Sequence, residues 1–236
     1  FYPDVALQLS ELSPPDAQFV RARRKVYVPN GIEDVYDVYG DRHTAEYPGA
    51  DCPVILFVGA LYRSKGVFDL LDAAKILKQD GHAFEVELMG EGDSETEQEI
   101  IEHISNADLV DNVRLLGVLS GEAKWSAFES ADIFCFPTYF ESETFGLVLL
   151  EAMMFRLPIV ATSWRGIPTI IEDGDNGFLV PIKRPSSLAA KLALLIKDPD
   201  LRAEMGQRGR QRFLDAYTME RWRERMEQVF GMVERQ

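Results

Sequence analysis

Histidine and cysteine are scarce in this 236-residue chain, with three of the first and two of the second. His43, His82 and His103 are scattered and read as surface or loop residues, and with Cys52 and Cys135 they offer no metal-ligand spacing. The two cysteines lie far apart. Cys135 falls inside an apolar run and reads as a buried free thiol, which favours a cytosolic compartment. No apolar run approaches the ~20 residues that a membrane-spanning helix needs. Basic residues are also short: 25 Lys and Arg face 39 Asp and Glu, a net charge of −14, which argues against general nucleic-acid binding. The one dense cationic run, Arg21-Ala-Arg-Arg-Lys25, is a candidate for peripheral contact with anionic lipid head groups, although such runs are more often solvated.

Against these absences stands an ordinary globular balance, 46% hydrophobic and 27% charged, in a chain long enough for a sizeable core. Short strand-like runs at residues 54–58, 84–89, 113–116, 133–136, 159–161 and 178–180 alternate with helical patterns. Such repeated strand and helix patterns suggest a parallel sheet covered on both faces, so the expectation is an α/β fold, a Rossmann-like doubly wound parallel sheet. In such sheets ligands sit beyond the carboxyl ends of the strands.

The most informative segment lies at one strand-to-helix junction, Glu143-Thr-Phe-Gly-Leu-Val-Leu-Leu-Glu151. Upstream, Asp132-Ile-Phe-Cys-Phe-Pro137 reads as a buried strand that stops at a proline. Downstream, Leu147, Leu150 and Met154 recur at helical spacing, which predicts a helix from near Phe145 with Thr144 as N-cap. The first amides of such a helix have no intrahelical partner, and the macrodipole makes them attractive to a diphosphate. Gly146 would let the ligand approach the backbone closely. Glu143 then precedes the helix and Glu151 lies about 9 Å along its axis, both able to accept hydrogen bonds from the hydroxyls of a sugar or ribose.

The first strand leads into Gly59-Ala-Leu-Tyr-Arg-Ser-Lys65-Gly66, a loop with two cations, Arg63 and Lys65. It is not a Walker loop, because Ser64 precedes the lysine and Gly66 follows it. Gly90-Glu-Gly92 fits a dinucleotide fingerprint poorly, since the third glycine would fall on Glu95. A tight turn after a strand explains it better.

The run from Phe136 to Met153, followed by Leu157-Pro-Ile-Val-Ala-Thr162, resembles the signature of the retaining GT-B glycosyltransferases of group 1, which include sucrose synthases, lipopolysaccharide glycosyltransferases and phosphatidylinositol mannosyltransferases. Val28-Pro-Asn-Gly-Ile32, Phe57-Val-Gly-Ala-Leu61, Lys65-Gly66, Met89-Gly-Glu-Gly92 and Gly174-Asp-Asn-Gly-Phe-Leu-Val180 follow in the family's order, so the likeness covers residues 26–230 and is to the C-terminal donor-binding half. The resemblance implies that Glu151 holds the ribose hydroxyls of a nucleotide sugar and that Glu143 contacts the transferred sugar. The amides of Phe145, Gly146, Leu147 and Val148 would meet the diphosphate or sugar, and Lys65 would neutralise the departing diphosphate. Backbone from Gly117, Val118 and Leu119 would line the base pocket. The position after Gly59 is commonly an arginine in the family and is Ala60 here, so Arg63 is a candidate replacement. No metal or other cofactor is implied.

The resemblance divides the chain into residues 1–30, remnant of or linker from an N-terminal acceptor domain, residues 31–210, the Rossmann-like nucleotide-sugar domain, and a C-terminal helix over 211–236. Asp4 to Ser10 would be an edge strand, and the apolar stripe Met219, Trp222, Met226, Val229, Phe230 and Val233 would face the absent domain in part. The function implied is transfer of a sugar from a nucleotide-diphosphate donor, such as a UDP or GDP sugar, to a glycan or lipid-linked acceptor with retention, in polysaccharide or lipopolysaccharide biosynthesis. The location implied is cytoplasmic, with room for peripheral contact at the inner membrane face. Two alternatives stay open: a nucleotide-sugar-binding module without catalysis, and a sugar-nucleotide epimerase of similar architecture. The base, sugar, acceptor and activity of this chain by itself are left open as well.

Overall fold

A computed structural model describes residues 3–10, 21–40 and 52–233. Six strands form one parallel sheet: β3 (Val54–Val58), β4 (Glu85–Met89), β5 (Val113–Gly117), β6 (Ile133–Phe136), β7 (Ile159–Thr162) and β8 (Gly177–Val180). Ahead of them, β1 (Val5–Gln8) and β2 (Arg24–Tyr27) pair in parallel as a separate two-stranded sheet. The segment expected as an edge strand is one, and its partner is β2. The cationic run is itself half strand, with Arg24 and Lys25 registered against Val5 and Ala6, and Arg23 is ion-paired to Asp4 at 3.0 Å.

The main sheet runs in the order β5-β4-β3-β6-β7-β8. The chain winds outward from β3 in one direction, returns beside β3 with β6, and winds outward in the other. The point of reversal, between β3 and β6, is where the loops on the two sides diverge and leave a crevice. The central strands β3, β6 and β7 bury both faces, whereas the edge strand β5 exposes Arg114 and Leu115. Ile55, Phe57, Ile133, Cys135 and Val160 point into one core layer with the helices α2 (Val67–Gln79) and α7 (Pro185–Lys197). Their alternates Leu56, Phe134, Phe136, Ile159 and Ala161 point into the other, with α5 (Leu147–Met154) and Phe213 of α8 (Pro199–Ala216). This two-sided burial is why β3, β6 and β7 read as nearly unbroken apolar runs, while β4 and β5 nearer the edge carry Glu85, Glu87 and Arg114. Cys135 is fully buried, and desolvation raises its thiol far above the ordinary range.

The remaining helices are the short α1 (Tyr36–Tyr39), then α3 (Ser94–Asn106), α4 (Gly121–Ser130), the short α6 (Ile167–Ile170) and α9 (Met219–Val233). The α8–α9 junction is pinned to the early chain, since Ile32 donates to Tyr217 O and Met219 N donates to Ile32 O, each at 2.9 Å. On α9 the apolar stripe is covered unevenly: Val229 is buried, whereas Phe230 is 59% exposed. His103 is not a free surface residue, because its ring lies 2.9 Å from Asp72 and packs edge-on to Phe68. His43 lies outside the described residues. Among the described residues, no helix is long and apolar enough to cross a membrane.

Candidate functional site

The carboxyl ends of β3, β4 and β5 are laced together by backbone bonds that continue past the strands. Gly59 N donates to Met89 O, Gly90 N to Gly117 O and Leu61 N to Glu91 O, at 2.8–3.0 Å. Gly90 has φ +144, and a Cβ there would stand 1.9 Å from Gly59 O, so only glycine permits this approach. Gly90-Glu-Gly92 is thus a tight packing turn. The lacing fixes the start of the loop after β3 to the end of β4, and the end of β4 to Gly117 at the end of β5, where Val118 and Leu119 follow. Val118 is 65% exposed.

A second set of contacts crosses the reversal point. The short 3-10 turn Arg63–Lys65 is tied to the loop after β6 by Tyr139 N, which donates to Ser64 O at 2.8 Å. Gly66, at φ +82, backs onto Pro137 O so closely that a Cβ would sit 2.2 Å from it. These contacts hold Lys65 against the loop that carries Glu143. Lys65 Nζ and Glu143 Oε2 are 2.7 Å apart with side chains only 18% and 11% exposed, and the Phe140 ring centroid lies 4.6 Å from the ammonium. The same loop is braced from the far side, where Trp164 Nε1 donates to Phe140 O at 2.9 Å and Gly166 packs on Thr144 O.

Helix α5 begins at Leu147, two residues later than expected, and its N-cap is Gly146 instead of Thr144. Gly146 adopts φ +83, a left-handed conformation that interrupts the helical backbone. Phe145 is thereby turned into the core against Tyr217, and Thr144 is left exposed. The glycine serves the turn: a Cβ on it would meet Leu149 and Phe136 side chains at 3.1–3.4 Å. No acceptor among the described residues takes the amides of Leu147 and Val148. They remain available to an anion at the helix start.

Glu151, one turn further along α5, meets a residue that the sequence reading passed over. Lys124 of α4 lies with Nζ 2.6 Å from Glu151 Oε1, the two side chains 24% and 17% exposed. Arg63 is turned to other partners, with its guanidinium 2.6 Å from Glu99 on α3 and stacked 4.0 Å over the Phe68 ring. Behind the Tyr139 loop, burial raises the Asp69 carboxyl, Asp72 adds to the rise and Lys183 opposes it. The Tyr139 phenol is also raised, by burial first and by Asp69 second.

The geometry thus brings Lys65 onto Glu143, and α5, with its open first amides and Glu151, follows directly on the loop that carries Glu143. Carboxylates of this kind can receive hydroxyls, and a cation with open amides can receive a diphosphate. Among the described residues no three His, Cys, Asp or Glu side chains gather as a metal site.

A structural neighbour, Anabaena HepE in complex with UDP and glucose, superposes on 97% of this chain and 63% of its own with a TM-score of 0.83 at 19% identity, a likeness of fold. The C-terminal domain of a group 1 family glycosyl transferase (LpcC) from Francisella tularensis superposes on 71% of this chain and 87% of its own with a TM-score of 0.66 at 27% identity. The phosphatidyl-myo-inositol mannosyltransferase of Mycolicibacterium smegmatis is 34% identical over 179 residues, 75% of this chain and 44% of that protein. The chain spans less than half the length of the curated relatives it matches. A family model described as glycosyl transferases group 1 matches residues 45–212. That match takes in all six strands of the main sheet and the loops that form the crevice, so the chain, with its GT-B type of Rossmann-like sheet, belongs to the group 1 glycosyl transferases.

Proposed function

We propose that this chain is the donor-binding domain of a retaining glycosyltransferase, holding a nucleotide-diphosphate sugar whose sugar passes to an acceptor hydroxyl with its anomeric configuration kept. The observation that carries the reading is the Lys65–Glu143 pair astride the sheet's reversal point, 2.7 Å long and mostly out of water, next to the open amides of α5. Retention rests on the family resemblance.

In this reading the bound donor takes over contacts that the site's side chains otherwise make with one another. Its diphosphate takes Lys65 and the amides of Leu147 and Val148, and a sugar hydroxyl takes the place of Lys65 on Glu143. Neither half of the pair is then left buried without a partner, which is where the cost of breaking such a pair lies. As the bond between the anomeric carbon and the diphosphate oxygen breaks, positive charge develops on the sugar and negative charge on the departing oxygen. Lys65, passed from Glu143 to the diphosphate, and the amides stabilise the second. Glu143 orients the sugar and is not required as a covalent nucleophile. No metal is assigned a role.

The binding-only alternative is favoured by one observation: Ala60 stands where the family commonly has a cation, and Arg63 is engaged by Glu99. Incubation of the full-length enzyme with donor and a panel of acceptors, with products read by NMR, separates the readings. Transfer with the anomeric configuration kept supports the proposal; binding without turnover supports the module; an epimerised sugar nucleotide supports the sugar-nucleotide epimerase.

A further inference from the structure

Lys124 and Glu151 meet because two helices present matching faces. On α4, Lys124 and Phe128 are four residues apart and share a face; on α5 and its C-cap, Glu151 and Phe155 do the same. Phe128 stacks on Phe155 with ring centroids 5.8 Å apart, and Trp125 stacks on Phe155 at the same distance. This aromatic contact fixes the helices against each other at one end of the shared face. One turn along that face toward the crevice, Lys124 Nζ closes on Glu151 Oε1 at 2.6 Å, while its ammonium lies 4.6 Å from the Trp125 ring centroid. Both side chains are more than three-quarters covered, so the pair is poorly screened by solvent.

We propose that Lys124 is a positioning residue that sets the site's preference for ribose over deoxyribose. By holding Oε1, it fixes the carboxylate plane of Glu151 and leaves Oε2 as the oxygen presented to a ribose hydroxyl. A carboxylate held in one orientation gives a directed, charge-assisted hydrogen bond and leaves an unpaired group when the hydroxyl is missing; one free to rotate turns to water and discriminates weakly. The inference rests on the proposed function, in that Glu151 is taken to face the ribose of a nucleoside diphosphate.

The test is calorimetric titration with UDP, GDP and ADP, followed by the 2′-deoxy and 3′-deoxy forms of whichever binds most tightly. The unaltered chain is expected to prefer the ribonucleotide over at least one deoxy form by roughly 10- to 100-fold, the worth of one charge-assisted hydrogen bond. Lys124→Met should reduce that preference to under about threefold, and Lys124→Arg should restore most of it. Lys124→Gln serves as a second neutral variant if the methionine variant does not fold. The same loss of affinity for ribo and deoxy forms, with the ratio preserved, overturns the inference, as does a preference lost in Glu151→Gln but intact in both neutral variants of Lys124. If the unaltered chain binds no nucleoside diphosphate, the proposed function fails and the inference with it; if it binds without discriminating ribose from deoxyribose, the inference alone fails.

Discussion

Two lysine–glutamate pairs dominate the crevice, and they predict different behaviour on mutation. Lys65→Ala removes the cation proposed for the diphosphate and should weaken nucleoside diphosphate binding by about 10- to 100-fold. Glu143→Gln should not weaken it, because the carboxylate competes with the diphosphate for Lys65 and repels its charge. The same variant should lower turnover of the full-length enzyme roughly 10- to 100-fold through lost orientation of the sugar. Titration of both variants beside steady-state kinetics checks the pair: a Glu143→Gln variant with weakened diphosphate binding contradicts the assignment. The places of Glu143, Glu151 and Lys65 at strand-to-helix junctions were legible in the sequence, because they sit at fixed offsets from strand ends and glycines. Lys124 was not, since a lysine on a helix otherwise reads as solvated, and its meaning depends on a facing helix 27 residues further along the chain. Arg63 shows the converse: its loop position suggested a role in the crevice, but the guanidinium is satisfied by Glu99 and Phe68, partners that become neighbours only through folding.

Among the elements, the strands followed from sequence almost residue for residue, because burial on both faces leaves β3, β6 and β7 a continuous apolar signature that turns interrupt. The start of α5 did not. A left-handed Gly146 is indistinguishable in sequence from a glycine inside the first turn, and the difference decides whether Phe145 belongs to the helix or to the core. Glycines also separate by what their loops must do. Gly90→Ala puts a methyl group onto the Gly59 carbonyl and should cost about 2–4 kcal/mol, through strain and through the loosened strand ends. Gly81→Ala, at φ +78 with open space around it, should cost only about 1 kcal/mol, from backbone strain alone. Urea unfolding midpoints of the two variants test this, and equal losses would mean that the lacing of β3 to β4 carries little.

For the molecule as a whole, the decisive property is strand order. The neighbours β3 and β6 are far apart in the chain, so no local pattern announces that Lys65 will meet Glu143; the doubly wound expectation supplied the crevice in general, and the fold supplied the pair. The short sheet of β1 and β2 was half legible, as one strand without its partner. Since the account gives the diphosphate charge to Lys65 and backbone amides, nucleoside diphosphate affinity should change by less than about twofold when EDTA is added, a tolerance well inside the tenfold step of 1.4 kcal/mol. A loss of binding restored by a divalent cation would assign part of that charge to a metal.

The central claim, that the crevice at the reversal of the sheet is a nucleotide-sugar donor site, is tested most directly by calorimetric titration of this chain with UDP, GDP and ADP beside its Glu151→Ala variant. The account predicts that one nucleotide binds in preference to the others and that the variant loses at least about tenfold in affinity for it, as expected when a charge-assisted contact to ribose is removed. Binding that is indifferent to Glu151, or no binding by any of the three, would contradict it.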